Sequence, residues 1–253
     1  MIKREKFIPI GIASSVAKAS GFDWMKTIEI ANKLNVSVIQ LHLNQFKPEF
    51  NWQLNLAERF KQIYIHLPAD FNYKHPFVAS LKNIPNAPLL IQHERYLNRD
   101  DIDFFIASRL PLGFENDQQN YLYGYFDQLK KLHYLGLNIA AVIDLPRFYH
   151  QFIGKQDEKE IYNHILNVLT WCKSLQISVI MHTIDIADYQ PKQASWTPIF
   201  EGILPWKEVL TFSIKESIPV KSIIFEYEDF PNMEKSICLL REWFEKREYI
   251  QYS

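Results

Sequence analysis

The chain has 253 residues, 47% hydrophobic and 23% charged, with only 7 Gly and 13 Pro. That composition is globular and excludes collagen-like, low-complexity and disordered classes. A formal net charge of −1 creates no field that would draw the protein to nucleic acid or to an anionic membrane, so neither is an expected partner. Cys172 and Cys238, the only cysteines, are too few for a disulfide framework and too distant for a CxxC pair, so both are expected unbridged in a cytoplasmic protein. No apolar run approaches the ~18 residues of a membrane span, and the basic start MIKREKFIPIG leads into too short an apolar run for a signal peptide.

In chain order the pattern alternates. FIPIGIA (7–13) reads as a first strand, and the polar turn SSVAKASGFD leads into a helix over 24–34 with Met25, Ile28, Ala31 and Leu34 at helical spacing. VSVIQLHL (36–43) is a second strand whose end carries Gln40 and His42, neither with an assignable role. A short helix is expected near 54–60, then a strand over 63–66 leaving through HLPAD, where the proline breaks the chain as in a βα loop. A brief helix over 75–81 precedes PLLIQH (88–93). The helix over 98–108 begins with Asp100, Asp101 and Asp103, carboxylates that favour a helix N-terminus. LGFE (112–115) is the fifth strand, and the helix over 121–134 is closed by Gly136.

The sixth strand is expected over 138–144, and a long helix over 157–175 carries Ile161, Ile165, Val168, Leu169 and Cys172 on a 3.6-residue period. ISVIMHTID (177–185) is apolar and β-branched without Gly, Pro or internal charge, which marks a strand covered on both faces. The loop after it, 187–202, is far longer than the usual ~4–6 residues, and loops of that length are more often functional than idle. A helix over 203–218, a strand over 220–226 and a helix over 232–244 complete the chain. Eight successive β–α units in one domain of this length predict an α/β fold of the (β/α)8 TIM-barrel type, not an open sheet.

Four apolar runs end on polar groups: Glu115 after LGF, Asp144 after IAAVI, His182 after VIM and Glu226 after SIIF. The C-terminal mouths of parallel strands are where ligands bind, so these four are expected on one rim. Taken singly, each carboxylate reads equally well as a solvated exit residue or a helix cap.

The motifs GFEND, AVIDLPR, VIMHTID, FEGILPW and IIFEYED, in that order at strands five to eight, resemble those of the xylose-isomerase-like barrel superfamily. Its members include sugar and sugar-phosphate isomerases, ketose 3-epimerases, inosose dehydratases and endonuclease IV. The resemblance covers nearly the whole chain, residues 1–253, and rests on order and placement because no single motif is specific. It implies that Glu115, Asp144, His182 and Glu226 bind one divalent metal, with Glu115 and Glu226 also handling substrate protons. Arg147 stands where many relatives have a histidine three residues after the strand-six Asp. His66 and His93 lie where endonuclease IV has zinc ligands, but the Asp-x-His pair of that enzyme's later loop is missing from DIADYQPKQASW.

The chemistry of the set agrees. Carboxylates with one imidazole suit Mn²⁺, Mg²⁺, Co²⁺ or Zn²⁺. Such an ion polarises a carbonyl and stabilises the enediolate left when a carbon-bound proton is removed. Arg147 matches a substrate carboxylate or phosphate, or else pairs with Asp144 or Asp185; His66 and His93 are further substrate-binding candidates. Glu228 reads as a rim pair, and Trp196 and Trp206 as loop anchor and core. The expected function is a metal-dependent isomerase or epimerase of a small sugar, sugar phosphate or sugar acid. An endonuclease IV-like phosphodiesterase and a non-catalytic metabolite-binding barrel are the alternatives. Expected partners are a small carbohydrate and, at most, further copies of the chain.

Overall fold

Short β-rich runs alternating with amphipathic helices leave each strand no antiparallel neighbour in sequence, and parallel pairing follows. The computed structural model describes residues 8–43, 56, 58–71, 76–81, 87–117, 122–189 and 196–251. Eight parallel strands close in the order β1-β10-β7-β6-β5-β4-β3-β2. They are β1 (Ile10–Ala13), β2 (Val38–His42), β3 (Gln62–His66), β4 (Leu89–His93), β5 (Leu112–Glu115), β6 (Ile139–Asp144), β7 (Val179–Thr183) and β10 (Val220–Phe225). β8 (Asp185–Ile186) and β9 (Trp196–Thr197) form a separate antiparallel ribbon. The described helices are α1 (Trp24–Lys33), α2 (Pro76–Leu81), α3 (Arg99–Ser108), α4 (Gly124–Tyr134), α5 (Leu145–Phe152), α6 (Glu158–Ser174), α7 (Trp206–Lys215) and α8 (Phe230–Gln251). This is the TIM barrel expected, and no helix among the described residues is long and apolar enough to cross a membrane.

The strand period of two sorts the core into two compartments. Val38, Tyr64, Leu89, Ile91, Ala140, Val142, Ile180 and Ile224 pack with Ala13 as one cluster inside the barrel. Their strand neighbours Ile39, Ile65, Leu90, Ala141, Ile143, Met181 and Ile223 belong to the larger cluster shared with the helices. In that outer layer Phe114 stacks on Tyr125 of α4 at 5.2 Å, and the Tyr125 hydroxyl donates to the carbonyl oxygen of Phe114. Gly113 makes room for the inner cluster: a Cβ there would lie 2.5 Å from Leu89 Cδ2 and 2.9 Å from Ile91 Cγ1.

Three local readings are corrected. The seventh strand ends at Thr183, because the Asp185 carboxylate accepts hydrogen bonds from the N–H groups of Ile186, Phe200, Gly202 and Leu204. Asp185 thereby fastens the returning end of the long loop instead of extending the barrel. The residues 145–152, to which the sequence reading assigns no element, form α5 with Pro146 in the first turn, where its missing N–H costs nothing. The polar turn after β1 is a 3-10 helix over Ser14–Ser20, ended by Gly21 at φ 68°. Of the helix expected at 54–60, only 56 and 58–60 fall within the described residues. Side-chain caps mark two further helix starts: Asn98 and Asp101 form a capping box at α3, and Asp157 accepts from Lys159 N at α6. Cys172 is buried, Cys238 is exposed, and both are free thiols.

Candidate metal centre

The residue two beyond each apolar floor residue comes up on the same inner face. Val38 is followed by Gln40, Tyr64 by His66, Ile91 by His93, Gly113 by Glu115, Val142 by Asp144, Ile180 by His182 and Ile224 by Glu226. Strand register then sets neighbours side by side: His42 beside His66, His93 beside Glu115, and Asp144 beside His182. The C-terminal mouth is thus lined by polar groups on seven of the eight barrel strands or their exits.

Three of the four expected ligands converge. Glu115, His182 and Glu226 each offer an atom within 4.8 Å of the others. His182 Nδ1 lies 3.3 Å from Glu115 Oε1 and 3.3 Å from Glu226 Oε2. Neither that Nδ1 nor Glu115 Oε1 has a hydrogen-bond partner among the described residues, although both are buried. The other ring nitrogen, His182 Nε2, is 2.8 Å from Gln40 Oε1, and Gln40 Nε2 donates to Glu226 Oε1 at 2.7 Å. Burial opposes charge on all three groups, yet they overcome it together. His93, His182 and Arg147 hold Glu115 well below the usual carboxylate range against burial. Burial likewise works against Glu226, which His182 pulls down to about 2, and against His182, which Glu226 and Glu115 raise to about 10. A buried imidazolium held between two carboxylates is what such a set does when it carries no metal; a divalent cation replaces the Nδ1 proton with two charges.

A second trio shares Glu115. His66, His93 and Glu115 also offer atoms within 4.8 Å of one another, with His66 Nε2 at 3.1 Å and His93 Nδ1 at 3.7 Å from Glu115 Oε2. Rings stack along the wall, His42 on His66 at 5.0 Å and His66 against His93 at 4.7 Å. Desolvation, aided by His66, lowers His42 to about 3 and His93 to about 4, so both are neutral at pH 7.

Asp144 reaches the same rim but belongs to neither trio. Its carboxylate caps α5 by accepting from Arg147 N at 3.1 Å and pairs with Arg147 Nε at 2.7 Å. Burial outweighs that pairing and pushes Asp144 up to about 6, with Glu115 and Glu226 adding to the rise. Arg147 also bonds Asp117 Oδ1 at 3.0 Å, and Arg95 Nε meets Asp117 Oδ2 at 2.8 Å. Asn116 fixes the strand above: its amide donates to the Asp144 carbonyl at 2.9 Å and accepts from Asp144 N at 2.6 Å. Asp185 lies apart, engaged by the loop, so Arg147 pairs with Asp144 and not with Asp185. Glu228 pairs with Lys18 at 2.6 Å, and Trp206 is core, donating to the Ile184 carbonyl.

Sequence reasoning located the strand-end residues and missed those that hold them. Gln40 stood at the end of the second strand with no assignable role, yet a carboxamide inside an apolar strand is itself the signal that a partner waits inside. Asp117 and Asn116 were in view as part of GFEND but follow the strand rather than end it. The residues fit a divalent cation: an imidazole nitrogen and two carboxylates face one another, and two of those buried atoms make no hydrogen bond among the described residues, Glu115 Oε1 having only the Arg147 Nε at 3.5 Å besides His182.

No family model matches the sequence, and no curated protein matches it. Solved structures match its fold. The probable 3-DHS dehydratase AsbF of Bacillus anthracis, involved in petrobactin synthesis, superposes with a TM-score of 0.62 at 12% identity, covering 92% of this chain and 98% of that one. A xylose isomerase domain protein from Planctomyces limnophilus gives 0.58 at 14% identity, over 99% and 100% of the two chains. The IolI protein, solved with a binding zinc atom, gives 0.59 at 10% identity over 92% and 95%. The chain has the fold of the xylose-isomerase-like TIM barrels.

Proposed function

We propose that this barrel is a divalent-metal-dependent enzyme that moves a carbon-bound proton of a small sugar, sugar phosphate or sugar acid, as an isomerase or epimerase. The observation that carries the reading is the convergence of Glu115, His182 and Glu226 within 4.8 Å with buried, unpartnered donor atoms. A zinc atom in the IolI relative in fold supports it. Glu115, His182 and Glu226 would hold the cation, with Asp144, beside His182 in register, as a fourth donor. A cation bound there supplies Lewis-acid stabilisation of the charge that develops when a proton leaves carbon next to a carbonyl.

The chain's own groups divide the remaining work. The Glu226 side chain is 16% exposed against 1% for Glu115, so Glu226 opens toward the mouth and is the group better placed to take a substrate proton. Glu115 comes from β5, on the far side of β6 and β7 from Glu226, and serves the opposite side of a bound substrate. Arg147, with its side chain 32% exposed, presents a guanidinium to a substrate oxyanion while anchored on Asp144 and Asp117. His66 and His93, beside Glu115, donate or accept hydrogen bonds at substrate hydroxyls.

The test joins elemental analysis to solvent exchange. Wild-type protein is expected to hold a divalent metal and to exchange carbon-bound hydrogen of a ketose or sugar acid in deuterated water. His182→Ala with Asp144→Asn should strip the metal, and Glu226→Gln should lose exchange while keeping the fold. Full metal content in the double variant removes the proposed site. A metal-loaded wild type that exchanges no substrate removes the isomerase reading, and cleavage of abasic-site DNA would put the phosphodiesterase reading in its place.

A further inference from the structure

Gln40 is fully buried on β2 and spans the inside of the barrel to residues on β7 and just past β10. A carboxamide is polar in one sense only: its oxygen accepts and its nitrogen donates. Which end faces which neighbour is fixed by the hydrogen bonds those neighbours can make. Here Glu226 decides. Its Oε1 lies 2.7 Å from the amide, and a carboxylate oxygen there tolerates only the NH₂ end, because two oxygens that close would face each other lone pair to lone pair. The amide oxygen is therefore the end that meets His182 Nε2 at 2.8 Å, and a nitrogen facing an acceptor must carry hydrogen.

We infer that Gln40 is the positioning residue of this site: locked by Glu226, it keeps a hydrogen on His182 Nε2 and aims Nδ1 at Glu115 and Glu226 as the ligating nitrogen. The inference rests on the reading of those three residues as a cation site. Nothing else among the hydrogen bonds of the described residues reaches His182 Nε2. A neutral imidazole without such a partner divides its hydrogen between two nitrogens, and only the form with a bare Nδ1 can bind the cation. Gln40 also fixes the ring plane, since His182 is held at Nε2 from β2 while its backbone is held in β7. Partners that orient a metal-bound histidine in this way typically carry a 10–100-fold effect on affinity.

The experiment uses the full chain with Mn²⁺ or Zn²⁺ alone and needs no substrate. Gln40→Met keeps the length of the side chain and removes both hydrogen bonds; Gln40→Glu restores an acceptor to His182 but opposes a second carboxylate to Glu226. In zinc-loaded wild type, long-range nitrogen–proton NMR should show a hydrogen on His182 Nε2 and none on Nδ1. Gln40→Met should lose the slowly exchanging Nε2 hydrogen and bind Mn²⁺ about 10–100-fold more weakly by calorimetry, measured well below a thermal midpoint that the two lost hydrogen bonds lower. Gln40→Glu should recover the Nε2 hydrogen. An Nε2 without hydrogen in wild type, or unchanged Mn²⁺ affinity and exchange in Gln40→Met, overturns the inference. A wild type that binds no cation while slow exchange of the Nε2 hydrogen still depends on Gln40 refutes the metal reading alone and supports the positioning of His182.

Discussion

His164 lies in α6, away from the barrel mouth, and is 1% exposed. Its ring meets Tyr123 edge-on at 4.8 Å, Phe148 at 5.8 Å and Phe126 at 6.3 Å, and neither ring nitrogen has a hydrogen-bond partner among the described residues. Burial in this aromatic box lowers it from 6.5 to about 4, against a small opposing effect of Asp127. Between those values the unfolded chain binds a proton that the folded chain refuses, so stability falls as pH falls. The linkage relation gives a loss of about 2 kcal/mol at pH 5 and about 3 kcal/mol at pH 4, and none above about pH 7. His164→Leu removes the titrating group and fills the box with apolar atoms. Urea unfolding of both proteins at pH 7.5 and pH 5 isolates the effect, because every other titrating group cancels in the difference. The variant should gain about 2 kcal/mol on wild type between the two pH values. A stability difference that is the same at both pH values would refute the assignment of a proton-excluding site to His164.

Asp185→Ala orphans four backbone N–H groups; at about 1 kcal/mol each it should cost ~4 kcal/mol, read as a lowered thermal midpoint with faster amide exchange at Phe200, Gly202 and Leu204. Gly113→Ala drives a Cβ into Leu89 and Ile91 and should cost about 1–3 kcal/mol by overpacking, measured by denaturant titration; unchanged stability would refute the tight packing of the inner cluster. Asn116→Ala breaks both bonds to the Asp144 backbone and should cost about 2 kcal/mol while weakening Mn²⁺ binding; affinity equal to wild type by calorimetry would show that Asp144 holds its place unaided.

The barrel was legible in the sequence because each strand is a short apolar run and seven of the eight end at or beside a residue that cannot be buried without a partner. Glu115, Asp144, His182 and Glu226 stood out for that reason, and the period of two placed them on one face. What joins them was not legible. Gln40 lies 142 residues from His182 and 186 from Glu226, and no local pattern specifies which polar side chains meet across a closed barrel. Arg147 was open to two partners, and the fold brings it onto Asp144 and Asp117. The helix α5 was missed because a proline directly after a strand reads as a turn, although Leu145, Phe148, Tyr149 and Phe152 carry helical spacing. Asp185 was misread as the end of the seventh barrel strand because the groups it serves, from Phe200 to Leu204, are distant in sequence and no local pattern announces them.

The exit of β6 has no loop at all: Asp144 ends the strand and is already the N-cap of α5, and Arg147 in the next turn bonds back to it. Lengthening or shortening that junction by one residue rotates the helix by about 100° and carries Arg147 off the rim. The exit of β7 is the reverse case. Asp185 ties the exit of β7 to the chain where it returns, bonding Ile186 N on one side and the N–H groups of Phe200, Gly202 and Leu204 on the other. The two exits therefore answer an inserted residue differently: at the β6 junction it moves Arg147 directly, whereas at the β7 exit one carboxylate still fixes both flanks.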